Sequence, residues 1–256
     1  KVVILKDGKI LSTSIVPNEP LSDVTASNAL EKALAGTGLA QKDMRCIIGT
    51  GYGRIEIPFA RKIVTEIACH GKGAHWANKQ ARTVIDVGGQ DAKVIKVDGE
   101  GVVKDFVLND KCAAGTGKFL ETMCRILEVK LEEMGEISLK AQNAVEISSQ
   151  CSVFAESEVV SLIHRGVDKV DIARAIHDAL ASRTASMARR IGIETTDITL
   201  IGGVAKNIGF VHSLKRDLGI ELLVPENPQI VGALGAALFA LKRVSAPEAV
   251  LKQMDQ

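Results

Sequence analysis

Aromatic residues are scarce in this 256-residue sequence: they make up 3% of it, with one Trp and one Tyr. A sizeable core therefore has to be built from Ala, Val, Ile and Leu. Hydrophobic residues at 46% against 25% charged supply enough of them for a large interior under a polar surface. No apolar run approaches the ~20 residues that cross a bilayer, and no signal-peptide pattern opens the chain. An excess of one charge is missing too: 32 Lys and Arg face 31 Asp and Glu, for a net charge of +1. That balance gives no electrostatic ground for a nucleic-acid partner or an anionic membrane. The five cysteines are Cys46, Cys69, Cys112, Cys124 and Cys151, an odd count at spacings unlike a secreted disulfide framework. They point to a reducing cytoplasm with thiols left for a metal. There is no Pro/Ser linker, low-complexity tract or internal repeat of about 20–50 residues. An initiator Met is also missing. Lys1 opens directly on the apolar run Val2-Val3-Ile4-Leu5, so further sequence is expected before it.

What is present alternates strands with helices. The opening run, the turn Lys6-Asp7-Gly8-Lys9 and Ile10 to Val16 read as a hairpin. Arg45 to Thr50 reads as a buried strand, and Thr83 to Val97 as strand, Gly-Gly turn and strand. Ile198 to Ile201 is a further short strand. Helical stretches are expected over Ser27 to Ala35, Arg61 to His70, Thr116 to Leu127, Ser152 to His164, Asp171 to Ile191 and Ala233 to Arg243. In the third of these, Phe119, Leu120, Met123, Ile126 and Leu127 share one face. Glu128 to Glu136 reads as a solvated charged face. Helices mixed with antiparallel hairpins indicate an α/β protein.

Three glycine-rich segments stand out. In Asp86-Val87-Gly88-Gly89-Gln90-Asp91-Ala92-Lys93 the two glycines lie between β-branched runs. Glycine there permits positive φ and exposes backbone N–H groups to phosphate oxygens. Asp86, at the end of its strand, is placed to hold a Mg²⁺-bound water, although an ordinary hairpin turn would use the same residues. Thr199-Leu200-Ile201-Gly202-Gly203-Val204-Ala205-Lys206-Asn207 runs from a strand through a Gly-Gly turn into a helix start. A flat base or ribose can lie on such a backbone, with the helix N-terminus favouring anions; a tight strand–helix junction is the plain alternative. Gly232-Ala233-Leu234-Gly235-Ala236-Ala237 spaces small residues for close helix packing.

In this order the three segments resemble the second phosphate loop, adenosine loop and second interdomain helix of the actin, Hsp70 and sugar-kinase superfamily. The resemblance implies a two-domain, ribonuclease H-like ATPase fold closing on ATP and Mg²⁺. It divides the chain into residues 1–84 plus 238–256 and residues 85–237. The superfamily's first phosphate loop would precede Lys1 and is absent from this sequence.

Two cysteines sharpen the resemblance. Asn109-Asp110-Lys111-Cys112-Ala113-Ala114-Gly115-Thr116-Gly117-Lys118-Phe119 and Ser148-Ser149-Gln150-Cys151-Ser152-Val153-Phe154-Ala155-Glu156-Ser157-Glu158 each place a thiol at a Gly- or Ser-rich helix start. A helix N-terminus lowers a thiol pKa and supports an anionic cluster, whereas an isolated Cys is more commonly a small core residue. With Thr50-Gly51-Tyr52-Gly53-Arg54 and Asp86-Val87-Gly88-Gly89-Gln90-Asp91, these segments resemble the activators of 2-hydroxyacyl-CoA dehydratases and the ATP-binding subunits of benzoyl-CoA reductase. The resemblance covers essentially the whole chain.

It implies that Cys112 and Cys151 ligate one iron–sulfur 4Fe–4S cluster shared across a homodimer. It further implies that Asp86 serves catalysis and that Gly88, Gly89, Gln90, Lys93, Gly202, Gly203 and Gln229 hold ATP. ATP-driven domain rotation would then reach the cluster through the helices after Cys112 and Cys151. Electrons would come from a ferredoxin or flavodoxin and pass to an acyl-CoA dehydratase or benzoyl-CoA reductase component. Cys124 is expected in the core and Cys46 in a buried strand, and Cys69-His70 with His75 lacks the second pair that a metal site needs. A small-molecule kinase on the same fold is the rival reading. It lacks a marked carboxylate base, and it gives no reason for two matched cysteines.

Overall fold

The computed structural model describes residues 1–109, 113–147, 151–193 and 197–245. The chain forms two compact units, one of residues 1–79, 100–102 and 230–256 and the other of residues 80–99 and 103–229. The expected divisions at 84/85 and 237/238 fall within a strand and a helix, respectively.

The first unit opens with β1 (Val2–Lys6) and β2 (Lys9–Ser14), an antiparallel hairpin. Asp7 and Gly8 turn it with φ of 52° and 76°, the paired positive φ that a two-residue hairpin requires. Helix α1 (Ser22–Leu34) is tied to β2 because Ser12 and Ser14 donate from Oγ to the Ala33 and Ala29 carbonyls, each at 2.5 Å. Only Ile48–Gly49 of the expected strand pairs, as β3, parallel to β4 (Lys62–Ile63). Cys46 is half-buried ahead of that strand. The helix expected from Arg61 instead starts at Glu66, as α2 (Glu66–Ala77). Thr65 caps it by accepting from the Ala68 N–H, and β4 takes the residues before the cap.

The second unit carries a five-stranded sheet in the order β7–β6–β5–β8–β9. Its central strand β5 (Thr83–Val87) pairs antiparallel with β6 (Ala92–Val97), which pairs with β7 (Val103–Asn109). Helices α3 (Gly117–Leu127), α4 (Leu131–Ser138), α5 (Ser152–His164) and α6 (Lys169–Arg190) follow. Then come β8 (Ile198–Ile201), α7 (Ile208–Leu218) and β9 (Leu222–Leu223). Strand β8 runs parallel to both β5 and β9. The expected apolar face of α3 is buried at Phe119, Leu120, Met123 and Leu127, and Cys124 joins it. The solvated charged face expected over Glu128 to Glu136 is the outer side of α4. Its glutamates do face solvent, but Met134, Gly135 and Ser138 are buried beneath them. Strand β7 was missed because its Lys and Asp interrupt the β-branched run that marks an interior strand.

The chain returns to the first unit with α8 (Val231–Ser245), which packs on α2. A Cβ at Gly235 would collide with the Cys69 carbonyl and one at Gly73 with the Val231 carbonyl. The small residues of the third glycine segment therefore bring two helix backbones together. No helix among the described residues is long and apolar enough to cross a membrane.

One buried group in the second unit sets a pH dependence. His177 on α6 is fully buried, and its Nδ1 donates to the Ala173 carbonyl at 2.8 Å. Burial pushes its pKa down from 6.5 to about 4, against the smaller opposing effects of that hydrogen bond and of Asp178. The native imidazole is thus neutral where the unfolded one already binds a proton. Its contribution is complete above pH 6.5 and is lost as pH falls toward 4, to a limit of about 3 kcal/mol. Urea unfolding at pH 7 and pH 4.5 should show that loss in the wild type. His177→Gln should flatten the curve, and an identical pH slope in the variant would assign the acid lability elsewhere.

Candidate functional site

The second unit brings the first two glycine segments together. Because β5 and β8 are parallel neighbours, with Asp86 opposite Ile201, the turns that end them, Gly88-Gly89 and Gly202-Gly203, lie side by side. They occupy the carboxyl ends of adjacent strands, where open α/β sheets bind ligands. Gly202 has φ of +92°, and a Cβ there would strike the Val87 carbonyl and the Asp86 carboxylate. Its N–H donates to the Pro228 carbonyl at 3.0 Å. That bond sets Gln229 beside the second turn, so that a Cβ on Gly203 would stand 3.2 Å from the Gln229 amide nitrogen. Five of the expected nucleotide residues, Gly88, Gly89, Gly202, Gly203 and Gln229, therefore gather at the carboxyl end of two adjacent strands of one sheet.

Asp86 is buried at the end of β5, directly opposite Lys93 on β6. Lys93 Nζ lies 3.4 Å from Asp86 Oδ2 and 2.7 Å from Asp91 Oδ2. Lys93 is itself buried, so its ammonium neutralises the two carboxylates instead of reaching outward. The Gly88 N–H is used within the turn, donating to the Asp91 carbonyl at 2.9 Å. Gly89 and Gln90 are exposed, and nothing lies within 4 Å of a Cβ placed at Gly89.

A connection that sequence reasoning missed runs from this turn to α3. The Gly117 N–H donates to the Gly88 carbonyl at 2.9 Å and the Lys118 N–H to the Gly89 carbonyl at 2.8 Å. Two of the four N–H groups that every helix start leaves unpaired are thus satisfied by the glycine turn. Glycine at 117 keeps the approach close, since a Cβ there would lie 3.2 Å from the Gly88 oxygen. The Gly115-Thr116-Gly117 spelling is the only trace of this contact in the sequence.

Of the two candidate cluster cysteines, Cys112 lies outside the described residues. Cys151 is the N-cap residue of α5, half-buried and a free thiol. Beside it on the first turn, Val153 and Phe154 are 64% and 66% exposed. An accessible sulfur at a helix N-terminus suits a thiolate ligand of an anionic cluster. The remaining cysteines do not share this setting. Burial pushes the Cys69 and Cys124 thiols up to about 11, and Cys124 packs its sulfur against that of Met134. Cys46 is raised by burial as well, with Arg243 and Arg61 opposing. Among the described residues, no group of three or more His, Cys, Asp and Glu side chains converges as a metal site.

Comparison with known proteins is consistent across sequence and structure. The chain is 43% identical over 258 residues to the 2-hydroxyisocaproyl-CoA dehydratase activator of Clostridioides difficile, covering 99% of this chain and 95% of that one. It is 46% identical over 240 residues to the activator of lactoyl-CoA dehydratase of Anaerotignum propionicum, covering 94% and 92%. To one of the subunits of benzoyl-CoA reductase from Thauera aromatica it is 30% identical over 224 residues, covering 85% and 79%. Two solved structures superpose closely. The C. difficile activator with bound ADPNP gives a TM-score of 0.89 at 43% identity, covering 99% of this chain and 92% of that one. Component A of the Acidaminococcus fermentans (R)-2-hydroxyglutaryl-CoA dehydratase gives 0.91 at 42%, covering 95% and 94%. The architecture is accordingly the actin/Hsp70/sugar-kinase-like ATPase fold. The family model of the BadF/BadG/BcrA/BcrD ATPases matches residues 1–240. The chain belongs to the BadF/BadG/BcrA/BcrD ATPase family.

Proposed function

We propose that this protein is the ATP-hydrolysing, electron-transferring activator of a 2-hydroxyacyl-CoA dehydratase. The observation that carries the reading is the pair of backbone hydrogen bonds from Gly117 and Lys118 to Gly88 and Gly89. They join a nucleotide-type glycine turn to the helix that follows Cys112. A shift of that turn of even part of an ångström has to be taken up by the first turn of α3, because hydrogen bonds weaken steeply with distance and angle. The chain thus has a mechanical link between the nucleotide's phosphates and one cluster-bearing segment.

In this reading Gly88, Gly89 and Gln90 approach the phosphates. Gly202 and Gly203 give a flat floor for ribose and base, and the Gln229 amide borders it. Asp86 would hold a Mg²⁺ ion through a bound water, and Lys93 keeps its carboxylate in place. Cys151 and Cys112 are the thiolates offered to a 4Fe–4S cluster, and a second copy of the chain supplies the other two. When bound, such a cluster provides one-electron chemistry at low potential. The exposed Val153 and Phe154 beside Cys151 give the second copy an apolar shoulder to pack against. A ferredoxin or flavodoxin is the donor class that fits a cluster of this kind, and the acyl-CoA dehydratase is the acceptor. The reductase alternative rests on the lower similarity to the benzoyl-CoA reductase chain.

Anaerobic purification tests the proposal. A brown dimer is expected, with about four iron atoms per pair of chains and ATP hydrolysis that needs Mg²⁺. Chelation should bleach it and shift it toward monomer at low concentration, since metal–thiolate bonds stabilise the assembly by mass action. A colourless monomer that hydrolyses ATP would leave an ATPase without the redox role. A bleached dimer that persists on dilution would show that protein contacts suffice.

A further inference from the structure

With Lys93 turned inward, the glycine turn at 88–89 stays acidic. Its ammonium lies on Asp86 and Asp91, one positive charge against two negative. A polyphosphate brought to that turn is repelled unless further positive charge meets it, and Mg²⁺ offsets only part of a triphosphate. Sites that hold phosphoryl groups supply the remainder from Lys or Arg.

The start of α3 is bonded to the same turn, through the Gly117 and Lys118 N–H groups on the Gly88 and Gly89 carbonyls. The Phe119 N–H donates to the Thr116 carbonyl at 3.2 Å, and the Thr116 hydroxyl donates to the Ala113 carbonyl at 2.7 Å. The first three N–H groups of α3 are thus already in use, and they are the ones a helix start would otherwise offer to an anion. Phe119 and Leu120 are buried, whereas the Lys118 side chain is 57% exposed. Its ammonium pairs with Glu121 at 3.1 Å, an exposed i,i+3 contact. Such a pair contributes little and yields to a stronger anion. Lysine is also the wrong sign for the positive end of a helix. The first turn of α3 has no acid to offset it, whereas α1, α2, α4 and α6 each carry one there. A charge set against the local rule is characteristic of a functional position.

We infer that Lys118 is the phosphate-binding cation of the nucleotide site, leaving Glu121 for the outer phosphates when ATP is bound. The inference rests on the reading of the Gly88-Gly89 turn as the phosphate grip. The Lys118 backbone nitrogen is 2.8 Å from the Gly89 oxygen. An extended lysine carries its ammonium about 6 Å from its Cα, on a flexible stem. Gly89 is open, with nothing within 4 Å of an added Cβ. An anion resting on Gly89 therefore falls within reach of Lys118 by side-chain rotation alone. The attraction grows with each phosphate, so Lys118 favours ATP over ADP and ADP over adenosine.

The test uses the full chain and calorimetric titration with Mg-ATP, Mg-ADP and adenosine at one ionic strength. Lys118→Ala keeps the backbone bond to Gly89 and removes only the charge. Its thermal unfolding should match or slightly exceed wild type, since alanine favours the helix and the misplaced charge is gone. Its ATP affinity should fall at least about tenfold and its ADP affinity less, with adenosine within about twofold. Lys118→Arg keeps the charge and should hold ATP affinity within about threefold. Lys130→Ala is the matched control, because Lys130 also sits at a helix start in an exposed i,i+3 pair, with Glu133 at 3.4 Å. It should bind all three ligands as wild type does. ATP affinity in Lys118→Ala within about twofold of wild type would overturn the inference. So would an equal loss for adenosine, which would trace the effect to a disturbed turn. Loss of ATP binding in Gly89→Val, with Lys118→Ala unaffected, would leave the phosphate grip standing and remove Lys118 from it. A wild-type chain that binds adenosine but gains nothing from the phosphates would sink the grip reading itself, and the inference with it.

Discussion

Cys151→Ser is expected to reduce bound iron from about four atoms per pair of chains to background, with loss of the brown colour. A ligand to such a cluster has to be deprotonated, and a serine hydroxyl at the same helix start stays protonated at neutral pH. Symmetry doubles the damage, because one substitution removes two of the four thiolates. Cys112→Ser is expected to do the same. The controls come from the cysteines that the fold sets apart. Cys124→Ala removes a buried sulfur from the contact with Met134 and should cost about 1–2 kcal/mol of stability with iron retained. Cys46→Ser should leave both nearly unchanged. Iron per dimer, measured beside thermal unfolding, separates a lost ligand from a lost fold. A full complement of iron in Cys151→Ser would remove this cysteine from the site.

The second large effect distinguishes two glycines that look alike in the sequence. Gly202→Ala places a Cβ at φ of +92° against the Val87 carbonyl and the Asp86 carboxylate. Backbone strain of this kind costs about 1–3 kcal/mol. Moving Asp86 also disturbs its buried pairing with Lys93, and breaking such a pair costs about 3–5 kcal/mol. A stability loss of at least about 3 kcal/mol is therefore expected, together with loss of ATP binding. A Cβ at Gly89 meets no atom within 4 Å, so Gly89→Val is expected to be accommodated. Its stability should stay within about 1 kcal/mol of wild type, while ATP affinity falls about tenfold or more because the side chain stands where a phosphate would approach. Calorimetric titration with ATP and thermal unfolding read the two effects apart. Unchanged ATP affinity in Gly89→Val would move the phosphate grip off this turn. A Gly202→Ala protein as stable as wild type would show that the junction can yield.

The sequence determined more of this protein than its modest aromatic content promises. The glycine turns at 88–89 and 202–203 were legible because each lies between a β-branched strand and a change of period. The Asp7-Gly8 hairpin has a spelling that few other conformations accept. Cys151 at the start of α5 was legible for the same reason, through a Ser-rich cap ahead of an apolar helical face. These are local rules, and local sequence carries them. The misreading around 61–70 arose where two short elements share a stretch and the period changes within a few residues, and helix α4 went unread beneath the solvated face expected over 128–136. Strand β7 was hidden by charges that an edge strand tolerates and an interior one does not.

Only the tertiary structure decided which of these segments meet. The parallel pairing of β5 with β8 sets two turns about 110 residues apart in the chain side by side. It makes Gly202 a steric necessity and Gly89 an open approach, although both are one letter in a Gly-Gly pair. The antiparallel pairing of β5 with β6 turned Lys93 inward onto Asp86 and Asp91, where the sequence alone suggested a hand for the nucleotide. Helix packing joined the α3 helix start to the glycine turn and drew Asp171 across to residues 142 and 143. The contacts of Gly202, of the α3 helix start and of Asp171 join residues far apart in the chain, and their partners are chosen by sheet order and helix packing, whereas the Lys93 pairings are set within the β5–β6 hairpin. A window of sequence holds the donors and acceptors, but it does not say which of them the fold will bring within 3 Å.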